Sequence, residues 1–179
     1  MTKQGLRIRT LVAAFAAAGL STAALGQAKD VTIGVIFDYS GPFAAGGSQA
    51  AGIGTKIAID MINERGGVEG RKIKATYADA QSKTEVAINE MTRLLDQDKV
   101  DLIMGVYSSA HCVPMAQKAD SSKKFMWANV CVASAVFKDK KLQYVFRPQV
   151  HSDQFGEASC TFLNENAKAK LKKNAKDLK

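Results

Sequence analysis

Short apolar runs alternate along this chain with segments of helical period, and few folds can be built from that alternation. Val31-Thr32-Ile33-Gly34-Val35-Ile36-Phe37 is almost continuously apolar, as in a parallel strand covered on both faces. The turn cluster Asp38-Tyr39-Ser40-Gly41-Pro42 ends it. Beyond Gly46 and Gly47, Ser48 is placed to cap a helix in which Ala50, Ile53, Ile57, Met61 and Ile62 recur at helical spacing, and Asn63-Glu64-Arg65-Gly66-Gly67 stops it. Residues 71–77 read as a strand. Ser82-Lys83-Thr84-Glu85 is a capping box opening a helix with Val86, Met91, Leu94 and Leu95 inward. The unit then repeats, with strands at 100–105, 124–128 and 143–147 and a helix at about 109–121. The expected fold is α/β, a doubly wound, mostly parallel sheet with helices on both faces.

In such a sheet a ligand sits outside the carboxyl ends of the strands, so the informative loops are 38–48, 105–110 and 128–135. The first carries glycines but neither G-x-G-x-x-G nor G-x-x-x-x-G-K-[ST], which argues against a nucleotide site, and no cofactor is expected. In the second, Gly105-Val106-Tyr107-Ser108-Ser109-Ala110 leaves a buried strand and opens a helix. First-turn amides have no intrahelical acceptor and the dipole favours negative charge, so hydroxyls and N–H groups there form an anion or carboxylate site. Spacing alone leaves equally open that Ser108 or Ser109 only caps the helix.

The net charge of +8 suggests a nucleic-acid binder until it is mapped. Residues 1–28 hold Lys3, Arg7 and Arg9 and no acid, residues 166–179 hold six Lys against Asp177, and residues 29–165 are neutral. Basicity belongs to the two ends, and no nucleic-acid partner is expected. The first end divides as a cleavable secretory signal: a basic start, an Ala-rich apolar stretch from Leu11 to Leu20, then small residues leading to cleavage after Gly26 or Ala28. No cysteine stands there to carry a lipid, so the expected product is a soluble exported protein. Cys112, Cys131 and Cys160 are an odd number in a compartment that permits disulfides, and one pair with one thiol left over is the simplest outcome. A metal site drawn from His111, Cys112, Cys131 and His151 lacks ligand-pair spacing and is set aside.

Four stretches carry a family resemblance: Ile33-Gly34-Val35-Ile36 with Ser40-Gly41-Pro42; Asp60-Met61-Ile62-Asn63 through Gly66-Gly67-Val68-Glu69-Gly70-Arg71-Lys72-Ile73; Gly105 to Pro114; and Arg147. Over about residues 30–165 the chain resembles the type I periplasmic binding proteins of the leucine/isoleucine/valine-binding group, the receptors of ABC importers. The resemblance implies a two-lobed clamp, monomeric when full length, that closes on a small carboxylate-bearing solute and hands it to a membrane permease without covalent chemistry. It places the carboxylate on Ser109, with Tyr107 and Ser108 beside it, and Gly46 in the first loop facing the ligand. Where amino-acid binders of the family grip the ammonium group, this chain has Val130 and Val132, with Ser134 nearby. A buried ammonium without acceptors costs several kcal/mol, so a carboxylate with an apolar or aromatic body fits these residues at least as well as an amino acid.

In the family's usual strand order the third and fourth strands are neighbours, which makes a Cys112–Cys131 bridge possible; two free thiols remain the alternative. The implied organisation is a signal at 1–28, a first ligand-binding lobe at 29–149, and at 150–179 a crossover with the first helix of a second lobe, Phe155, Ser159, Phe162 and Leu163 on one face. Family members are about twice this length, so the chain reads as a fragment or a truncated product whose second lobe is largely missing. The rival readings are a ligand-sensing domain of a receptor and a secreted Rossmann-like enzyme.

Overall fold

The computed structural model describes residues 29–177, and the signal assigned to residues 1–28 lies outside them. Five strands form one sheet: β1 (Val31–Phe37), β2 (Ile73–Asp79), β3 (Leu102–Gly105), β4 (Phe125–Ala128) and β5 (Val145–Phe146). Every pairing is parallel and the order is β2-β1-β3-β4-β5. The helices are α1 (Gln49–Glu64), α2 (Thr84–Asp96), α3 (Ser109–Ser121) and α4 (Ser152–Asn166). The expected α/β alternation is therefore present.

The chain leaves β1 for one edge to make β2, then returns across β1 to make β3, so the direction of winding reverses between β1 and β3. Right-handed crossovers place α1 on one face and α2 and α3 on the other. On the second face Ile36, Ile103 and Met126 meet Met91 and Leu94 of α2 and Met115 of α3. On the first, Ile33, Val35 and Phe37 of β1 and Ile73 of β2 pack with Ile59 of α1. Phe125, Trp127 and Phe146 of β4 and β5 remain 52%, 41% and 43% exposed.

Three local expectations are corrected. In α1 the residues toward the sheet are Ala51, Gly52 and Ile59, while Ile53, Ile57 and Met61 are 53%, 54% and 46% exposed. Tyr39 explains this, because a Cβ on Gly52 would stand 2.7 Å from its ring, so the helix presents its smallest side chains there. Ser48 stands immediately before α1, yet its hydroxyl is bonded to Asp38 rather than to the helix. Ser82 forms no capping box: its hydroxyl accepts from the Phe43 amide at 2.9 Å and donates to the Ser40 carbonyl at 3.2 Å. In each case a tertiary partner displaced the local one. No residue of α4 is buried, so its Phe155, Phe162 and Leu163 face outward. No helix among the described residues is long and apolar enough to cross a membrane.

Candidate carboxylate site at the carboxyl edge of the sheet

Where the winding reverses, the loops after β1 and β3 meet at the carboxyl edge, with the loop after β4 beside them. The exit from β3 is fixed by the backbone. Gly105 has φ 115°, and a Cβ there would lie 2.3 Å from the Ile36 carbonyl oxygen, so no other residue fits without rearrangement. Val106 follows at φ 68°, a conformation costing a β-branched residue about 1–3 kcal/mol. Its N–H donates to the Ile36 carbonyl at 2.8 Å and its side chain is buried, which hold it there. This kink carries Tyr107 toward the first loop, where its hydroxyl donates to the Gly46 carbonyl. Gly47, at φ 124°, lies under the same ring, since a Cβ there would stand 3.1 Å from the phenol oxygen. Gly46 and Tyr107 thus form one wall.

A buried polar cluster ties the first loop to α3. The Asp38 amide donates to Ser48 Oγ at 2.7 Å, Ser48 Oγ donates to Asp38 Oδ2 at 3.0 Å, and the Ser82 amide donates to Asp38 Oδ1 at 2.9 Å. His111 Nδ1 lies 3.6 Å from that Oδ1, and the Phe43 ring meets the imidazole edge-on at 5.8 Å. Burial pushes the His111 pKa below its ordinary 6.5, with the Asp38 charge pulling the other way.

Ser108 is extended and precedes α3, and its carbonyl accepts from the His111 and Cys112 amides at 3.2 and 3.0 Å. The amides of Ser109 and Ala110, at the first two helical positions, have no acceptor within the helix. Neither serine hydroxyl caps α3. Instead Ser109 Oγ accepts the Ala133 amide at 3.3 Å, and since a hydroxyl has one proton and two lone pairs, accepting that bond leaves its O–H able to donate.

The loop after β4 is held from both sides. Cys112 and Cys131 are joined in a disulfide, Cα–Cα 6.3 Å, with both residues buried, while Cys160 is exposed and free. From the opposite side the Gln149 side-chain Nε2 donates to the Cys131 carbonyl at 3.1 Å, the Ser152 backbone amide to the Val132 carbonyl at 2.9 Å and the Arg147 guanidinium to the Ala133 carbonyl at 2.8 Å. The Ser134 amide donates to Ser152 Oγ at 3.4 Å. The Val132 carbonyl and the Ser134 amide are thus engaged by the crossover, and Val130 and Tyr107 each pack against the α1-side core. The structure therefore brings Gly46 to Tyr107 and Ser109 to the 130–134 loop.

The sequence reading passed over the neighbouring Asn129, whose buried Oδ1 has no hydrogen-bond partner. It also missed the Asp38–Ser48 pair, which joins residues ten apart through a loop of irregular geometry. No metal-binding group was found among the described residues, and two of the thiols a metal would need are in the disulfide.

Comparison with known proteins places this geometry in a family. The family model described as "Periplasmic binding protein" matches residues 30–171. The chain is 33% identical over 166 residues to Leu/Ile/Val-binding protein homolog 7 of Brucella suis, covering 93% of this chain and 41% of that protein. Homolog 8 of the same organism is 30% identical over 172 residues, with 96% and 42% covered. Among solved structures, the fold resembles the branched-chain amino acid substrate-binding protein LivJ of Streptococcus pneumoniae in complex with isoleucine: TM-score 0.66, 24% identity, 80% of this chain and 39% of that one. It also resembles a solute-binding protein of Rhodopseudomonas palustris in complex with 3,4-dihydroxybenzoic acid: TM-score 0.64, 20% identity, 76% and 36% covered. The chain spans about two fifths of the length of these relatives. It belongs to the periplasmic binding proteins, in the type I group that resembles the leucine/isoleucine/valine receptors.

Proposed function

We propose that this chain is the first ligand-binding lobe of an exported solute-binding protein, which captures a small carboxylate-bearing solute in the periplasm and delivers it to the membrane permease of an ABC importer. The observation that carries this reading is the open start of α3. There the Ser109 hydroxyl, which accepts from the Ala133 amide, still has its proton to donate, and the Ser109 and Ala110 amides have no acceptor in the helix. A carboxylate is the ligand group that accepts from such donors and gains from the helix dipole. Tyr107 and Val130 supply an apolar wall beside it, with Gly46 leaving room. Val130 and Val132 offer no side-chain acceptor to an ammonium group, so we favour an aromatic or aliphatic acid over an α-amino acid, with Ser134 as the residue able to compensate. The two solved relatives hold isoleucine and 3,4-dihydroxybenzoic acid, and they bracket that choice.

Capture needs no covalent step and no cofactor, so the protein is read as a binding protein and not an enzyme. The leader at 1–28 directs export without a lipid anchor, residues 29–149 form the lobe, residues 150–179 begin the second lobe, and the full-length receptor works as a monomer.

The test is an NMR titration of this chain with isoleucine, leucine, benzoate and 3,4-dihydroxybenzoate. The aromatic acids are expected to shift the Ser109 and Ala110 amides with weak affinity, because one lobe covers one face of a ligand and leaves the charged contact wet. Ser109→Ala should weaken that binding roughly ten- to a hundredfold, the loss of one charge-assisted hydrogen bond. No shift at α3 with any of the four acids rejects the reading, and submicromolar binding by this chain alone would contradict the clamp.

A further inference from the structure

Arg147 holds the loop after β4 from outside the carboxylate site, standing where β5 hands the chain to the crossover. Its guanidinium lies 5.0 Å over the Phe137 ring and donates to the Ala133 carbonyl at 2.8 Å. No carboxylate lies within ion-pair distance of it among the described residues. The side chain is half-buried, and burial lowers its pKa. A half-buried cation without a counter-ion is a poor way to fill space, since an apolar side chain would pack there without the desolvation cost. Its Nη1 donor is aimed at one particular backbone atom.

That atom belongs to the residue whose amide donates to Ser109 Oγ, so Ala133 is gripped at its carbonyl by the crossover and at its N–H by the candidate carboxylate site. Gln149 and Ser152 hold the two preceding carbonyls, and the Cys112–Cys131 bridge fixes the start of the loop to α3. We propose that Arg147 is a positioning residue: by holding the Ala133 carbonyl it orients the Ala133 amide, and through it the Ser109 hydroxyl, so that the crossover leaving the lobe and the carboxylate site move as one coupled unit. The inference rests on the carboxylate reading of α3. Rotation of the crossover is then felt at Ser109, and occupancy of Ser109 is felt at the crossover, since coupling between two sites is reciprocal.

Amide hydrogen exchange on the oxidised full chain, without ligand, separates this role from simple packing. Arg147→Met should speed exchange of the Ala133 amide about tenfold and shift the Ser109 amide resonance, the size expected when one hydrogen-bonded restraint is lost. Arg147→Lys, which can still donate to the Ala133 carbonyl, should restore most of the protection. Phe137→Leu removes the ring under the guanidinium and spares that bond, so it should lower the melting temperature but leave Ala133 exchange within about twofold. If Arg147→Met melts lower while Ala133 exchange and the Ser109 resonance stay at parent values, Arg147 is a packing residue and the proposal falls. Should the Met variant fail to fold, Ser109→Ala decides in the reverse direction: a shifted Arg147 Nε–H resonance supports the coupling, and an unmoved one overturns it. Adding 3,4-dihydroxybenzoate and isoleucine to the parent keeps the two ideas apart. Coupling without any ligand-induced shift at Ser109 sinks the carboxylate reading alone, whereas a ligand shift without coupling sinks this one.

Discussion

The two faces of the sheet carry the same kind of apolar side chain and meet different fates. On the α2/α3 face Ile36, Ile103, Met126 and Val145, drawn from four strands, are at most 3% exposed under Met91, Leu94 and Met115. On the α1 face the β1 residues Ile33, Val35 and Phe37 are also buried, at most 5% exposed, but Phe125, Trp127 and Phe146 lie open, Phe146 stacked on Phe125 and on Trp127 with centroids 5.8 and 6.5 Å apart. Direction of winding explains the asymmetry. The crossovers from β2 to β3 and from β3 to β4 run the same way and drop α2 and α3 on one face, whereas only the step from β1 to β2 runs back and supplies a helix to the other. A parallel strand's apolar run specifies that both its faces need cover, but the order of the strands decides which face receives it from within these residues.

Truncating the closed face should cost most. Leu94 is fully buried between α2 and the sheet, and Leu94→Ala is expected to lower stability by about 2–5 kcal/mol in urea unfolding, the range for a cavity in a packed core. Phe125→Ala, although it removes a larger side chain, should cost less than about 1 kcal/mol because half of that ring already faces water. Equal losses at the two positions would break the comparison. The Cys112–Cys131 bridge lies within the closed-face cluster and spans 19 residues, so its reduction should lower stability by about 3 kcal/mol. An unchanged urea midpoint in excess reductant, with both thiols shown to be free, would mean that the packing of that face holds the loop unaided.

The same asymmetry marks how far the sequence could be read. The α3 span of Ser109–Ser121 was legible because two serines follow a buried strand and open a periodic segment, and Met91, Leu94 and Leu95 were legible because α2 has one apolar stripe. Helix α1 carries apolar residues on two sides, so periodicity alone chose Ile53, Ile57 and Met61, and the ring of Tyr39 against Gly52 chose the other side. Ser48 and Ser82 had the right spacing for caps, but Asp38 and the 40–43 loop offered their hydroxyls partners from elsewhere in the chain. At the candidate site, Tyr107, Ser109 and Gly46 could be named one by one. That Tyr107 reaches Gly46 depends on Val106 adopting φ 68°, a conformation no propensity assigns to valine.

A smaller effect separates the faces by pH, since His111 lies buried in the Asp38 cluster at the end of the closed face. Above pH 6.5, the value of an unperturbed imidazole, both the folded and the unfolded chain carry it neutral, and the stability it contributes is complete. As pH falls below that value the unfolded chain takes up a proton that the buried imidazole resists, so stability declines until the lowered folded pKa is passed. The melting temperature is therefore expected to drop as the pH is lowered through 6.5, and His111→Gln should flatten that slope. An identical slope in the variant would assign the effect to the surface carboxylates instead.

The smallest effect is expected at Trp127, the only tryptophan in the chain and the centre of the open face. It is 41% exposed, and its polar neighbourhood is solvent, so Trp127→Ala should change stability by no more than about 1 kcal/mol, mostly the lost stacking with Phe146. Its emission should be red-shifted and readily quenched by acrylamide in dilute solution. Both signals would change together if something covers β4 and β5, because burial of the ring shifts emission to the blue and removes quencher access at once. A blue-shifted, poorly quenched Trp127 that does not respond to dilution would show the face already closed within the chain, and the contrast between the two faces would have to be abandoned. The same signal lost on dilution would keep the contrast and attribute the cover to association, the expected behaviour of an apolar patch that its own fold leaves bare.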